Sequence, residues 1–156
     1  MSQPGKDAPG AVARPPLIFL GSILVGSILH FSWPVRLVPN PLAVPLGGSF
    51  VAVSVILFAL AVRELRQART GIRTNQPTTA IVARGPYRFS RNPIYVSFAL
   101  LQLGVAIWVN SAWILGTLVP TLGIIRYGVI AREEAYLERK FGQEYRQYKG
   151  RVRRWL

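Results

Sequence analysis

The sequence predicts an all-α integral membrane protein, with four transmembrane helices and a C-terminal amphipathic helix on the cytoplasmic side. Three observations predict it. Apolar residues make up 51% of the 156-residue chain, mean hydropathy is +0.31, and these residues are bunched into runs. The 19 Lys and Arg against 6 Asp and Glu give a net charge of +13, and the basic residues gather at the ends of those runs. Two polar, aromatic-rich motifs, GPYRFSRNPIY at 85–95 and EEAYLERKFGQEYRQYKGRV at 133–152, flank two apolar runs joined by a tight turn. They must therefore meet on one side of a bilayer.

Residues 1–15 are rich in Pro, Gly and Ala and read as a disordered tail ahead of a single domain over 16–156. Residues 16–33 form the first span, with proline at its start, where a helix tolerates it. Trp33-Pro34-Val35 follows instead of the small residues of a cleavage site, which favours a retained span over a signal peptide. Prolines 34, 39, 41 and 45 make 34–45 a loop. The second span covers 46–61 and runs into Arg63, Glu64 and Arg66. A polar connection over 67–92 carries Arg69, Arg73, Arg84, Arg88 and Arg91, and connections this long are usually functional or disordered. The third and fourth spans, 94–109 and 112–131, are separated only by Val109-Asn110-Ser111 and so must be antiparallel neighbours.

Residues 132–148 read as an amphipathic helix in which Glu133, Leu137, Phe141, Tyr145 and Tyr148 share a face. Gly142 interrupts it, at about 1 kcal/mol relative to alanine. Arg151, Arg153, Arg154 and Trp155 suit a membrane interface. Gly104, Gly116, Gly123 and Gly128 offer close packing within or between chains. The loop after the first span holds only Arg36 and the turn after the third holds no basic residue. Both termini are therefore expected in the cytoplasm, as for a bacterial inner-membrane protein.

Several chemistries lose support. The basic excess marks membrane topology rather than nucleic acid. No cysteine is present, which removes disulfides, thiolate metal sites and cysteine nucleophiles. The single histidine, His30, lies near the outer end of the first span and reads as a hydrogen-bonded or interfacial residue. No histidine cluster, metal-spaced acidic pair, GxSxG or P-loop occurs, so no metal is expected. What remains is chemistry driven by positioning. Methyl transfer is of that kind, since holding two reactants in line supplies about 7–11 kcal/mol at best.

The two motifs, taken together over residues 77–152, resemble the small integral-membrane methyltransferases that include isoprenylcysteine carboxyl methyltransferase and the phospholipid N-methyltransferases. The resemblance implies S-adenosylmethionine as cofactor. By matching position it implies a cofactor pocket lined by Thr79, Ala80, Ile81, Val82, Tyr87, Asn92, Pro93, Tyr95 and Glu133. Tyr87 and Tyr95 would offer π faces to a sulfonium, and Glu133 would pair with the amine or accept ribose hydroxyls. Asn92 stands where better-known members carry histidine, and asparagine does not titrate. The substrate arginine of the isoprenylcysteine enzymes falls on Val129, leaving Arg126, one turn deeper, as the nearest substitute and Arg132 as another.

The catalytic candidates are Arg126, at the substrate's polar head, and the pair Glu133 and Glu134, the only base in view. Asn92-Pro93 also suits an N-cap with proline at the first helical position, and Glu133-Glu134 a favourable charge at a helix start. The expected partners are the bilayer and a lipophilic or lipid substrate carrying a carboxylate, amine or thiol, with no nucleic acid. An already ionised carboxylate, or a thiol, needs less help from a base than an amine. The alternative is a non-catalytic membrane protein that keeps the fold as a partner or assembly factor. A lipid-surface anchor using its basic face is a third reading.

Overall fold

The protein is all-helical among the described residues, in a computed structural model that describes residues 14–71 and 78–156. Most of the expected tail lies outside the described residues, as does part of the 67–92 connection, including Arg73. Helix α1 spans Pro15–Ser32, α2 Asn40–Gln67, α3 Pro93–Trp108 and α4 Ala112–Ile124. A π-helical segment, Ile125–Ile130, carries α4 without a break into α5, Ala131–Phe141, and α6 follows at Gln143–Arg151. Helix α2 packs on α3, and α1 on α4.

Among the described residues three helices are long and apolar enough to cross a membrane: Pro15–Ser32, Asn40–Gln67 and Ala112–Phe141. Helix α3 is apolar but has 16 residues, about 24 Å at about 1.5 Å per residue against a hydrocarbon core of roughly 30 Å.

Three boundaries differ from the sequence reading. The loop expected over 34–45 ends early, because α2 starts at Asn40. Pro41 falls in the first turn, where no N–H is needed, and Pro45 costs one backbone bond inside the helix. The fourth span does not stop at 131, since nothing at that junction breaks a helix and the polar residues simply continue it. The break comes instead at Gly142, whose φ of +53° is open to glycine, so the single helix expected over 132–148 is two.

Polar groups pin the bundle at both levels. At one end Asn110, at φ +57° in the tight turn, accepts from Leu37 N–H at 2.8 Å and Val38 N–H at 3.0 Å, and donates to the Val38 carbonyl at 2.8 Å. In the middle, fully buried Gln102 donates to the Ser22 hydroxyl at 2.7 Å and the Ile114 carbonyl at 3.1 Å. Such interhelical bonds stand in for the hydrophobic drive that lipid does not supply. Gly104 packs within the chain: a Cβ there would meet the Val51 backbone nitrogen at 2.8 Å, whereas Gly116 and Gly123 face open space. His30 sits near the Asn110 end with its Nδ1 buried and without a hydrogen-bond partner among the described residues.

Candidate active site

The other end of the bundle gathers both motifs. Gly85–Arg88 forms one 3₁₀ turn against the end of α2. Gly85 has φ +53°, which favours glycine, and a Cβ on it would lie 2.9 Å from the Glu64 side chain, which would have to shift. The turn buries Tyr87, whose carbonyl accepts from the Tyr148 hydroxyl at 2.8 Å. Helix α3 opens with buried Pro93 and brings in buried Tyr95, which donates to Glu133 Oε1 at 2.7 Å. Burial raises the Tyr87 hydroxyl pKa, and the neighbouring Tyr148 and Glu133 raise it further. Tyr87, Tyr95 and Glu133, from three elements, thus converge on one spot.

Thr79 is exposed. Its N–H donates to Thr70 Oγ1 at 2.9 Å and its hydroxyl to the Arg69 carbonyl at 3.0 Å, which ties this segment to the end of α2. Ala80, Ile81 and Val82 follow half-buried toward Gly85. Asn92 occupies the N-cap position of α3 but makes no capping bond. Its amide donates to the Arg154 carbonyl at 2.9 Å.

Glu134 points elsewhere. Its buried carboxylate takes Arg154 in a two-pronged grip, Nε to Oε1 at 3.0 Å and Nη2 to Oε2 at 2.7 Å, and pairs with Arg91 Nη1 at 3.2 Å. Bidentate pairs of this kind fix geometry as well as charge. Tyr145 lies beside the pair. Burial pushes its hydroxyl up to about 12, Glu134 adds to the rise and Arg91 opposes it. Burial also raises the Tyr148 hydroxyl.

These tyrosines yield a pH prediction. Above the ordinary value of 10.0 and up to about 12, folding keeps a proton on Tyr145 that the unfolded chain releases. Stability from this group is full below pH 10 and falls as pH rises through that window. Ultraviolet titration is expected to show Tyr87, Tyr145 and Tyr148 ionising late, and Tyr145→Phe to remove the step near pH 12. A titration complete near pH 10 would overturn the buried placement.

Arg126 stands apart from the tyrosines. It lines a groove of about 550 Å³ between α3 and α4, with Val96, Leu118, Leu122, Trp155 and Leu156 among the apolar walls. The volume is in the range of ligand pockets. Leu118 and Trp155 also pack in the cluster that holds Tyr95, so the groove shares a wall with the tyrosine site. Val129 is fully buried, and the π turn presents Arg126, not Val129, to the groove. π segments of this kind recur at functional sites.

The sequence reading missed Arg91 and Arg154 as partners of Glu134, and Glu64 as the neighbour of Gly85. The two acidic residues side by side at 133 and 134 held a signal, because successive helical positions do not face each other. One carboxylate had to leave the site.

The sequence profile of the phospholipid methyltransferase family matches residues 42–144, about two thirds of the chain. The chain belongs to that family. An uncharacterized protein of Haemophilus influenzae (strain ATCC 51907 / DSM 11121 / KW20 / Rd) is 49% identical over 65 residues, 40% of this chain and 100% of that protein. Among solved structures, the eukaryotic intramembrane Ras methyltransferase ICMT (isoprenylcysteine carboxyl methyltransferase) superposes with a TM-score of 0.68 at 18% identity. The likeness covers 90% of this chain and 51% of that one, so this chain spans about half the length of that enzyme and shares its fold. The chain is a helical membrane protein of a methyltransferase family.

Proposed function

We propose that the protein is an S-adenosylmethionine-dependent methyltransferase acting on a lipophilic, membrane-resident acceptor. The observation that carries the reading is the convergence of Tyr87, Tyr95 and Glu133 beside an apolar groove. Two phenols around a carboxylate form a donor set that suits a cationic group, so the residues present fit the cofactor. Bound there, S-adenosylmethionine would supply an activated methyl. Tyr87 and Tyr95 would flank its sulfonium, Glu133 would take its amine or ribose hydroxyls, and Thr79–Val82, Asn92 and Pro93 would form the surrounding wall. Arg126 would meet the acceptor's polar head. An acceptor carboxylate, ionised at neutral pH, would need no base. Glu134, engaged with two arginines, is proposed to hold the site together rather than to move a proton.

The same reading has α3 crossing the membrane despite its length, with four spans and both termini cytoplasmic in a bacterial inner membrane. Arg63, Arg66, Arg84, Arg88, Arg91 and Arg132 crowd the site end, against Arg36 at the other, which supports that orientation.

Isothermal calorimetry on the purified protein in detergent tests the reading. S-adenosylmethionine is expected to bind, and Tyr87→Ala or Glu133→Ala to weaken it by about 1–3 kcal/mol. Label from methyl-labelled cofactor should then enter a lipid of a membrane extract. Absence of heat at about 1 mM cofactor would end the proposal. One observation favours a non-catalytic partner protein instead: the Asn92 amide, inside the motif, is engaged by the Arg154 carbonyl. The same calorimetry separates the two.

A further inference from the structure

The family match stops at residue 144, yet the chain beyond it is built into the site. Ser90 and Arg153 form a parallel bridge, Arg91 N–H donates to the Arg153 carbonyl at 2.9 Å, and the Asn92 amide to the Arg154 carbonyl at 2.9 Å. The Ser-Arg-Asn of the first motif therefore serves as a docking edge for the C-terminal segment 152–156. Arg153 is exposed, and Arg154 turns inward to Glu134. Trp155 packs against the cluster of Phe19, Tyr95 and Leu118. With Leu156 it closes one side of the α3–α4 groove.

Arg126 is the charged residue in that groove. Among the described residues no carboxylate lies within ion-pair distance of it, and its guanidinium rests 5.4 Å from the Tyr127 ring centroid. It sits seven residues before Glu133, about 10 Å along the helix at about 1.5 Å per residue. A cation among apolar walls is costly until an anion or a polar cavity meets it. Apolar walls beside one such cation match a lipid with an apolar chain and an anionic head.

We propose that residues 152–156 are the selectivity wall of this groove: Trp155 and Leu156 bear on the chain of an anionic lipid whose head meets Arg126, and the Glu134 clamp positions them. The inference deepens the proposed function and rests on it in taking the groove as the acceptor's way in. Trp155 is the specificity-determining residue. Glu134, Arg91 and Arg154 are positioning residues.

The test reads lipid contact directly and does not need methyl transfer. Trp33, Trp108 and Trp113 all lie toward the Asn110 end, so replacing them with phenylalanine in the full chain leaves Trp155 as the emitter. The protein is reconstituted in phosphatidylcholine vesicles with rising fractions of phosphatidylglycerol or phosphatidylcholine brominated on the acyl chain. Brominated phosphatidylglycerol is expected to quench Trp155 at a several-fold lower mole fraction than brominated phosphatidylcholine. Arg126→Ala should bring the two curves together, and Arg126→Lys should restore part of the gap. Glu134→Gln should shift the emission to the red and erase the preference. Arg154→Ala should do the same to a lesser degree, and it serves where Glu134→Gln does not fold. Coincident curves with Arg126 in place would overturn the anionic head. A preference and an emission maximum untouched by both clamp variants would overturn the clamp. Preserved lipid preference without methyl transfer would sink the proposed function alone; methyl transfer without lipid preference would sink this inference alone.

Discussion

Glu134→Gln is expected to lower stability by about 3–5 kcal/mol, the usual cost of removing one partner from a buried ion pair. The carboxylate side chain is 9% exposed and that of Arg91 10%, so water offers little compensation. Replacing the anion with a neutral amide leaves two guanidiniums facing one another with no negative charge between them. Arg154→Ala should cost less, because Arg91 still pairs with Glu134 and the Arg154 side chain is 31% exposed. Glu133→Gln should cost the least of the three, because the glutamine amide oxygen can still accept from the Tyr95 hydroxyl. Unfolding by SDS in mixed micelles measures all three. The order Glu134, Arg154, Glu133 is the discriminating result. If Glu133→Gln proved the most damaging, the structural and binding roles of the two carboxylates would have to be exchanged.

Much of the fold was written in local features. Length and hydropathy marked α1 and the α3–α4 hairpin, because a run of apolar residues and a three-residue turn leave little choice. Helix ends were harder. Proline at 41 reads as a breaker, yet the first turn has no N–H bond for it to remove. In the sequence Gly142 reads as a cost inside a helix, whereas its positive φ ends one helix and starts another. The convergence of Tyr87, Tyr95 and Glu133 was implied by family resemblance, and the fold brings them together. The clamp was not legible. Glu134 meets arginines 43 residues before it and 20 residues after it, and the contacts of the C-terminal segment use backbone carbonyls of 153 and 154. Backbone carbonyls carry no residue signature, and Arg91 and Arg154 look like any other topology-setting charge. Nor did any residue pattern announce the π turn that turns Arg126 to the groove.

Arg126→Ala is expected to cut kcat/KM by about 10-fold to 150-fold while leaving S-adenosylmethionine affinity unchanged. The magnitude is that of a hydrogen bond to a charged group, about 1.5–3 kcal/mol, at 1.36 kcal/mol per decade of rate. The separation of effects follows from geometry. Arg126 lines the α3–α4 groove, whose lining does not include Tyr87 or Glu133, the pair that the reading gives to the cofactor. Arg126→Lys should recover only part of the loss, because an ammonium keeps the charge but not the two-pronged contact with a carboxylate or phosphate. A head held only by charge would be rescued fully by lysine. Raising the salt concentration should have a weak effect, since a contact made within an apolar groove is poorly screened. Cofactor affinity measured by calorimetry, alongside kcat and KM on the identified lipid, separates the outcomes. Loss of cofactor binding in both variants would move Arg126 into the cofactor site or the folding core. Full activity in both would mean that the side chain only reaches for the interface, and Arg132, six residues on and at the start of α5, would then be the cation to test against the acceptor's head.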